Sequence, residues 1–182
     1  MFGMYGAVRP ATLLFCGLFI AGPACADIAD SAVLRSKPAL LRMSYETLDL
    51  GASETMGLAG VHYLVNVHPD WYVGASGFGA LAGERGGFFT GGFTVGTGKR
   101  LASKWLLDAG LFVGGGGGGA AAQGGGMMVR PHLGISRDVG SVMLGAGVSY
   151  VKFPNGGIDS TQLNLTLGIP FDVHYGRASD AG

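Results

Sequence analysis

The stretch Ser160–Val173, STQLNLTLGIPFDV, decides the fold of this chain, because its apolar residues recur at every second position. One parity carries the apolar side chains, namely Leu163, Leu165, Leu167, Ile169 and Phe171. The other parity carries mostly polar ones, including Gln162, Asn164, Thr166 and Asp172. Successive side chains of a β-strand point to opposite faces of its sheet, so the stretch predicts a strand with one apolar and one polar face.

Similar alternating runs precede this one, separated by glycine, asparagine, aspartate and proline. Each is long enough to cross a lipid bilayer as a tilted strand, which takes about 9–11 residues. Consecutive antiparallel strands in even number close into a barrel, and closure is needed in lipid because nothing there pairs with an open edge. The sequence therefore predicts an all-β fold, an eight-stranded antiparallel up-and-down transmembrane β-barrel, with strands near residues 39–49, 56–67, 70–82, 87–99, 103–114, 127–137, 141–153 and 160–173.

Residues 1–26 have the pattern of a cleaved secretory signal peptide. Arg9 supplies the positive charge, an apolar stretch follows it, and Ala24 and Ala26 are the small residues of a cleavage site. The apolar stretch is too short for a membrane-spanning helix, which needs roughly 20 residues. Cleavage would leave three parts: an N-terminal periplasmic segment at 27–38, the barrel at 39–173 and a C-terminal tail at 174–182.

Both cysteines, Cys16 and Cys25, lie within this signal. The processed chain would then have no thiol for a disulfide, a cysteine–zinc site or catalysis. Lipid attachment at Cys25 is the alternative to its removal. We expect the exported barrel to reside in the cell outer membrane of a Gram-negative cell envelope, surrounded by outer-membrane lipid including lipopolysaccharide.

Composition restricts the partners and the class of protein. Twelve basic and twelve acidic residues leave a formal net charge of zero, which gives no electrostatic case for nucleic acid.

The alternative to a membrane barrel is a soluble sandwich or lipocalin-like barrel, with its apolar parity packed inside. We favour the membrane, because the opposite parity is too rich in glycine and too poor in lysine and glutamate for contact with water.

Aromatic residues gather near the strand ends, as they do at membrane interfaces. We expect two girdles, an inner one of Trp71, Tyr72, Trp105 and Phe171 and an outer one of Phe88, Phe89, Tyr150 and Phe153. Pro131 and Pro170 each lack the N–H that a β-ladder uses. We expect a local bulge at both prolines.

The polar parity directs ionisable residues into the lumen, where we expect an interior polar network of Arg42, Glu46, His62, Asp108, Arg130 and His132. An eight-stranded barrel is just wide enough for side chains to fill, and a buried ion is costly unless it is paired. Glu46 and Asp108 should therefore pair with Arg42 and Arg130 and block an open pore. A proton path or a ligand site is the alternative use of these residues.

Neither a metal nor a cofactor is expected. His62 and His132 do not have the spacing of a metal-ligand motif. The run Gly114–Gly119 lacks the lysine and hydroxyl residue of a phosphate-binding loop, so we predict a mobile external loop there.

The last hairpin, SYVKFPNGGIDS at 149–160, contains Pro154, Asn155, Gly157, Ile158 and Asp159. In these residues it resembles the closing hairpin of the outer-membrane lipid A 3-O-deacylases. Members of that family are eight-stranded barrels in which a hydroxyl attacks an acyl ester, with histidine as base and a carboxylate orienting it. The resemblance implies Ser149 and Asp159 as the alternative catalytic residues. The family's His-x-Ser pair is absent, since residues 147–151 read GVSYV.

The leading hypothesis is a small, non-enzymatic integral outer-membrane protein that acts structurally or through its outer loops on a surface partner. The sequence does not indicate which protein that partner is. One alternative is a lipid A-modifying acyl hydrolase. Another is a narrow transport barrel for small apolar molecules, with Phe112 and neighbouring glycines as its opening.

Overall fold

Eight antiparallel strands form a closed barrel in which each strand pairs with its neighbours in sequence and the last pairs with the first. The computed structural model describes residues 33–51, 53–83, 86–122 and 124–177. The strands are β1 Val33–Gly51, β2 Glu54–His68, β3 Trp71–Gly83, β4 Phe89–Ala102, β5 Trp105–Gly117, β6 Met127–Asp138, β7 Met143–Lys152 and β8 Asp159–Arg177. The predicted eight-stranded antiparallel up-and-down barrel is confirmed.

The first and last strands are longer than the sequence pattern predicts. β1 begins at Val33 rather than at residue 39, and β8 ends at Arg177 rather than at residue 173. The two extensions pair with each other, with Lys37 opposite Val173. β5 likewise continues to Gly117, into the glycine run expected to form a loop.

The signal peptide expected at 1–26 lies outside the described residues. Within the part of the chain that the structure describes, no helix has the length and apolar character needed to cross a membrane.

The alternation of side chains sorts them between the lumen and the outside of the barrel. On β8, Leu163 is 77% exposed and Leu165 is 62% exposed, whereas Gln162 and Asn164 are buried. Large apolar side chains are exposed in the same way on the outer face of every strand. Soluble proteins rarely expose so much contiguous apolar surface, so this exterior is the one expected when lipid surrounds the barrel.

An apolar cluster fills the lumen at the end away from the chain termini. Phe78 and Phe112 pack edge to face with ring centroids 4.9 Å apart, and Phe88 packs in the same way on Phe153 at 5.9 Å. The cluster also includes residues from β1, β2, β6, β7 and the adjoining loops, namely Leu48, Met56, Leu58, Ala121, Met128, Val151 and Ile158. These side chains close the lumen at that end of the barrel, and we call them the outer plug.

The aromatic girdles are smaller than expected. Trp71, Trp105 and Phe89 are exposed on the outside, but Tyr72, Phe88 and Phe153 are buried. The expectation for those three is wrong. Tyr72 has the parity of the lumen, and Phe88 and Phe153 belong to the outer plug.

The bulges expected at the prolines are also absent from the described ladders. The β1–β8 register runs without a shift past Leu40 opposite Pro170, and β7 no longer pairs with β8 at that level. The β6–β7 ladder passes from Val129–Lys152 to His132–Ser149 in unchanged register, skipping Pro131. Each proline thus lies at a position where one of the two neighbouring strands is not paired, so the missing N–H does not break a ladder hydrogen bond.

Candidate functional site in the barrel lumen

The first polar cluster of the lumen is centred on Asp108 of β5. Arg42 of β1 donates two hydrogen bonds to its carboxylate, at 2.9 and 3.2 Å. Tyr72 Oη donates to the same carboxylate at 2.7 Å, and His132 Nε2 lies 3.0 Å from it. The Arg42 guanidinium also lies 5.7 Å from the centre of the Tyr72 ring. Four strands therefore meet at one buried carboxylate.

The second polar cluster is centred on Glu46, four residues after Arg42 on β1. Arg130 of β6 holds its carboxylate through two hydrogen bonds, at 2.7 Å from Nε and 2.8 Å from the terminal nitrogen. Ser149 Oγ donates to the same carboxylate and accepts a hydrogen bond from Gln162 Nε2 at 3.0 Å. The Arg130 guanidinium lies 5.1 Å from the centre of the Phe78 ring, where the outer plug begins.

A chain of uncharged hydrogen bonds joins the strands on the other side of the lumen. His62 of β2 lies between Ser44 and Ser76, with its Nε2 3.0 Å from Ser44 Oγ and its Nδ1 2.9 Å from Ser76 Oγ. Ser76 Oγ in turn lies 2.7 Å from Thr94 Oγ1. The edge of the His62 ring meets Phe78 at 5.1 Å, so this histidine is fully engaged by structural contacts.

Glycine makes room for the first cluster. A Cβ at Gly110 would lie 2.6 Å from His132 Cε1 and 2.8 Å from Tyr72 Oη, closer than real carbon contacts allow. Tyr72 and His132 can therefore reach Asp108 only because position 110 has no side chain.

The free space in the network is small. A cavity of about 10 Å³ is lined by Arg42, Ser44, His62, Leu64, Thr94, Arg130, His132, Asn164 and Thr166. That volume is close to the minimum that holds one water molecule. Two buried side-chain atoms of the described residues have no hydrogen-bond partner, His132 Nδ1 and Gln162 Oε1.

All six residues of the expected network face the lumen and are buried or nearly so. The structure pairs Arg42 with Asp108 and Arg130 with Glu46, and it adds His132 to the first pair. His62 lies in a separate set of hydrogen bonds. The described residues contain no group of three or more histidine, cysteine, aspartate or glutamate side chains placed to hold a metal ion.

The structure does not bring the alternative catalytic residues together. Ser149 points into the lumen and bonds Glu46, whereas Asp159 is exposed at the loop end of the last hairpin, 3.3 Å from Lys152 Nζ. In the β7–β8 register Ser149 is opposite Gln162 and Lys152 is opposite Asp159. His132 is opposite Ser149 in the β6–β7 register, but its Nε2 lies 3.0 Å from Asp108. Among the described residues, no hydrogen bond joins a histidine to Ser149 or Asp159, so neither is held by the base that an acyl-transfer triad needs.

Sequence reasoning missed two parts of the lumen. Tyr72 donates to Asp108, and its lumen parity with Ser76 was the signal that could have shown it. Ser149 and Gln162, by contrast, have the polar parity expected for the lumen, and they support Glu46 there. The outer plug was missed because its apolar members have the parity assigned to polar residues.

The barrel is similar to several solved structures. The outer membrane protein Ail of Yersinia pestis in a phospholipid bilayer nanodisc has 15% identity and a TM-score of 0.49, over 75% of this chain and 100% of Ail. Neisserial surface protein A has 15% identity and a TM-score of 0.44, over 75% and 97% of the two chains. A de novo designed transmembrane β-barrel has 9% identity and a TM-score of 0.47, over 76% and 95%. No protein-family model and no curated protein matches this chain.

Proposed function

We propose that this protein is a small integral outer-membrane barrel without an open pore, with a structural or surface-interaction role. The observation that carries the proposal is the inverted distribution of its side chains. Large apolar residues are exposed around the whole exterior, while paired arginines and carboxylates are buried in the centre. In water this arrangement would leave the apolar exterior exposed, which is unfavourable, whereas lipid would cover it.

The filled lumen argues against transport. Phe112, expected as part of an opening in the transport hypothesis, is completely buried and packs on Phe78 in the outer plug. The polar half below it holds a cavity of only about 10 Å³. Phe112 therefore closes the barrel, and passage of a small apolar molecule would require the outer plug to unpack.

The separation of Ser149 from Asp159 argues against deacylase chemistry in the lumen. Ser149 is 2% exposed and donates to Glu46, so its oxygen is not accessible to an acyl ester. The histidine opposite it, His132, directs its Nε2 to Asp108 instead of to Ser149. Mass spectrometry of lipid A from cells with and without the protein tests this. Loss of an ester-linked acyl chain that depends on Ser149 would overturn the non-enzymatic proposal.

The outer loops support a role in surface interaction. The β5–β6 loop and the β7–β8 loop are joined by a hydrogen bond from Gly157 N to Ala122 O at 2.6 Å. Ala121 and Ile158 anchor the same two loops in the outer plug. The loops thus form one fixed surface, the type of surface that a partner can bind without first ordering it.

Flotation and gel migration test the membrane location. We expect the protein to float with phospholipid vesicles, to migrate differently before and after heating, and to give no stepwise conductance in a planar bilayer. A protein that stays folded and soluble without detergent would contradict the proposal, and stable conductance would contradict the closed lumen.

Cysteine labelling on intact cells tests which end faces outward. Asn155→Cys places a thiol on the β7–β8 loop, and Ser103→Cys places one in the tight turn between β4 and β5; both positions are exposed. We expect a membrane-impermeant maleimide to label the first variant on whole cells and the second only after permeabilisation. The wild-type chain is the control for background thiols. The reverse pattern would refute the proposed orientation, in which the β7–β8 loop faces the cell exterior and the β4–β5 turn faces the periplasm.

A further inference from the structure

Four cations share the outward parity at the end of the barrel where the chain begins and ends. They are Arg35 and Lys37 on β1, Lys99 on β4 and Arg137 on β6. Their parity is that of the exposed apolar residues on the same strands, so their side chains project away from the lumen. We call these four residues the basic collar, because β1, β4 and β6 lie at different positions around the barrel.

Two cations of the basic collar lie against aromatic rings that also face outward. The Arg137 guanidinium is 5.5 Å from the centre of the Trp105 ring, which is opposite it in the β5–β6 register. Lys37 Nζ is 5.7 Å from the centre of the Tyr175 ring. A cation over an aromatic face at the edge of an apolar band is positioned at the level of lipid headgroups.

Carboxylates at this end do not neutralise the basic collar. Asp138 and Asp172 have the parity of the lumen, and Asp70 lies in the turn before β3. Among the described residues, none of the four collar cations forms an ion pair with a carboxylate. Exposed Arg100 and Lys104 add further positive charge near the same rim.

The opposite rim has a different charge pattern. There the outward-facing Lys152 pairs with Asp159 at 3.3 Å, and Asp49 adds a further exposed carboxylate. Within the part of the chain that the structure describes, the unpaired outward-facing positive charge is therefore concentrated at the end that the proposed orientation places in the periplasmic leaflet.

We propose that the basic collar binds the phosphate groups of anionic phospholipids in the leaflet that faces the periplasm. This inference rests on the proposed membrane location. Unpaired cations that project outward at headgroup depth are complementary to an anionic lipid surface, and each lysine or arginine near such a surface favours binding. The collar would concentrate anionic lipid around this end of the barrel.

The two tryptophans of the chain make this testable by fluorescence, because both Trp71 and Trp105 are exposed at the collar end. The full barrel is reconstituted in vesicles of equal parts phosphatidylglycerol and phosphatidylcholine, in which one or the other lipid carries brominated acyl chains that quench tryptophan. We expect stronger quenching by brominated phosphatidylglycerol, corresponding to its enrichment by about five-fold, the factor that one cation at an anionic surface supplies. The excess should fall as salt is raised.

Charge removal identifies the collar as the cause. Arg35→Gln, Lys37→Gln, Lys99→Gln and Arg137→Gln combined should make the two brominated lipids quench nearly equally, whereas Lys99→Arg should behave as wild type. Lys152→Gln at the opposite rim is the matched control and should keep the full excess. Equal quenching in the wild type, or loss of the excess in the Lys152→Gln control, would overturn the basic collar as a binding surface.

Flotation of the same samples separates the two proposals. A barrel that floats with the vesicles but shows equal quenching refutes the basic collar alone. A barrel that does not associate with the vesicles refutes the membrane location, and the basic collar with it.

Discussion

Replacing Glu46 by glutamine removes the charge that balances Arg130 in the middle of the barrel. The Glu46 side chain is fully buried and that of Arg130 is 3% exposed, with their atoms 2.7 Å apart. Breaking a buried pair from one side leaves an uncompensated ion and costs about 3–5 kcal/mol. We expect Glu46→Gln to lower the free energy of unfolding by that amount, and Arg130→Met to do the same by stranding the carboxylate.

The double variant should recover most of this loss. With both charges gone, Ser149 still offers a hydrogen bond to an amide at position 46, and Gln162 still donates to Ser149. Replacement of a whole buried ion pair is often neutral, so we expect Glu46→Gln/Arg130→Met to lie within about 1 kcal/mol of the wild type. The coupling energy of the cycle would then be several kcal/mol in favour of the pair.

Denaturant unfolding in phospholipid vesicles, followed by tryptophan fluorescence, measures all four proteins. The control is the exposed pair of Lys152 and Asp159, where Lys152→Gln and Asp159→Asn should leave the midpoint unchanged, because solvent screens such pairs. If each single lumen variant unfolds like the wild type, or if the double variant loses the sum of the two single losses, the assigned ion pair is refuted.

Further predictions concern the outer plug and the crowded glycine. Phe112→Ala should cost about 3–5 kcal/mol in unfolding free energy, since it removes a fully buried ring in contact with Phe78; an unchanged midpoint would contradict the packing. Gly110→Ala should cost about 1–3 kcal/mol, because its Cβ meets His132 and Tyr72, and the loss should shrink when Tyr72→Phe removes the nearer oxygen. Planar-bilayer recordings should show no conductance for the wild type, whereas steady opening would refute the closed lumen.

The strand pattern could be predicted from the sequence because outward and inward side chains alternate along the whole length of each strand. Leu163, Leu165 and Leu167 share a face that no turn or bulge interrupts, so parity alone places them outside. The end of β8 could not be predicted in this way. Beyond Phe171 the chain continues as strand because its partner β1 is still present opposite it, and that pairing is a tertiary effect.

The sequence predicts which residues face the lumen, but it does not predict which of them contact one another. Parity places Arg42 and Asp108 inside, but these residues are 66 positions apart in sequence, and their meeting depends on the stagger of strands around the barrel. Tyr72 was assigned to the interface because aromatic residues near strand ends favour that location. Its hydroxyl instead satisfies Asp108, which makes burial favourable.

The lumen network also bears on why the barrel closes in one register. A slip of one residue between strands would turn every apolar side chain inward, so the exterior excludes odd slips. A slip of two residues keeps the apolar face outside, so contact with lipid does not oppose it. Such a slip would separate Glu46 from Arg130 and Arg42 from Asp108, leaving buried ions unpaired, and this cost excludes even slips. The two ion pairs therefore select one register more than they stabilise the fold. We expect the Glu46→Gln/Arg130→Met variant to be as stable as the wild type but to populate more than one register. Its amide NMR spectrum should then show more than one set of signals from β1 and β6.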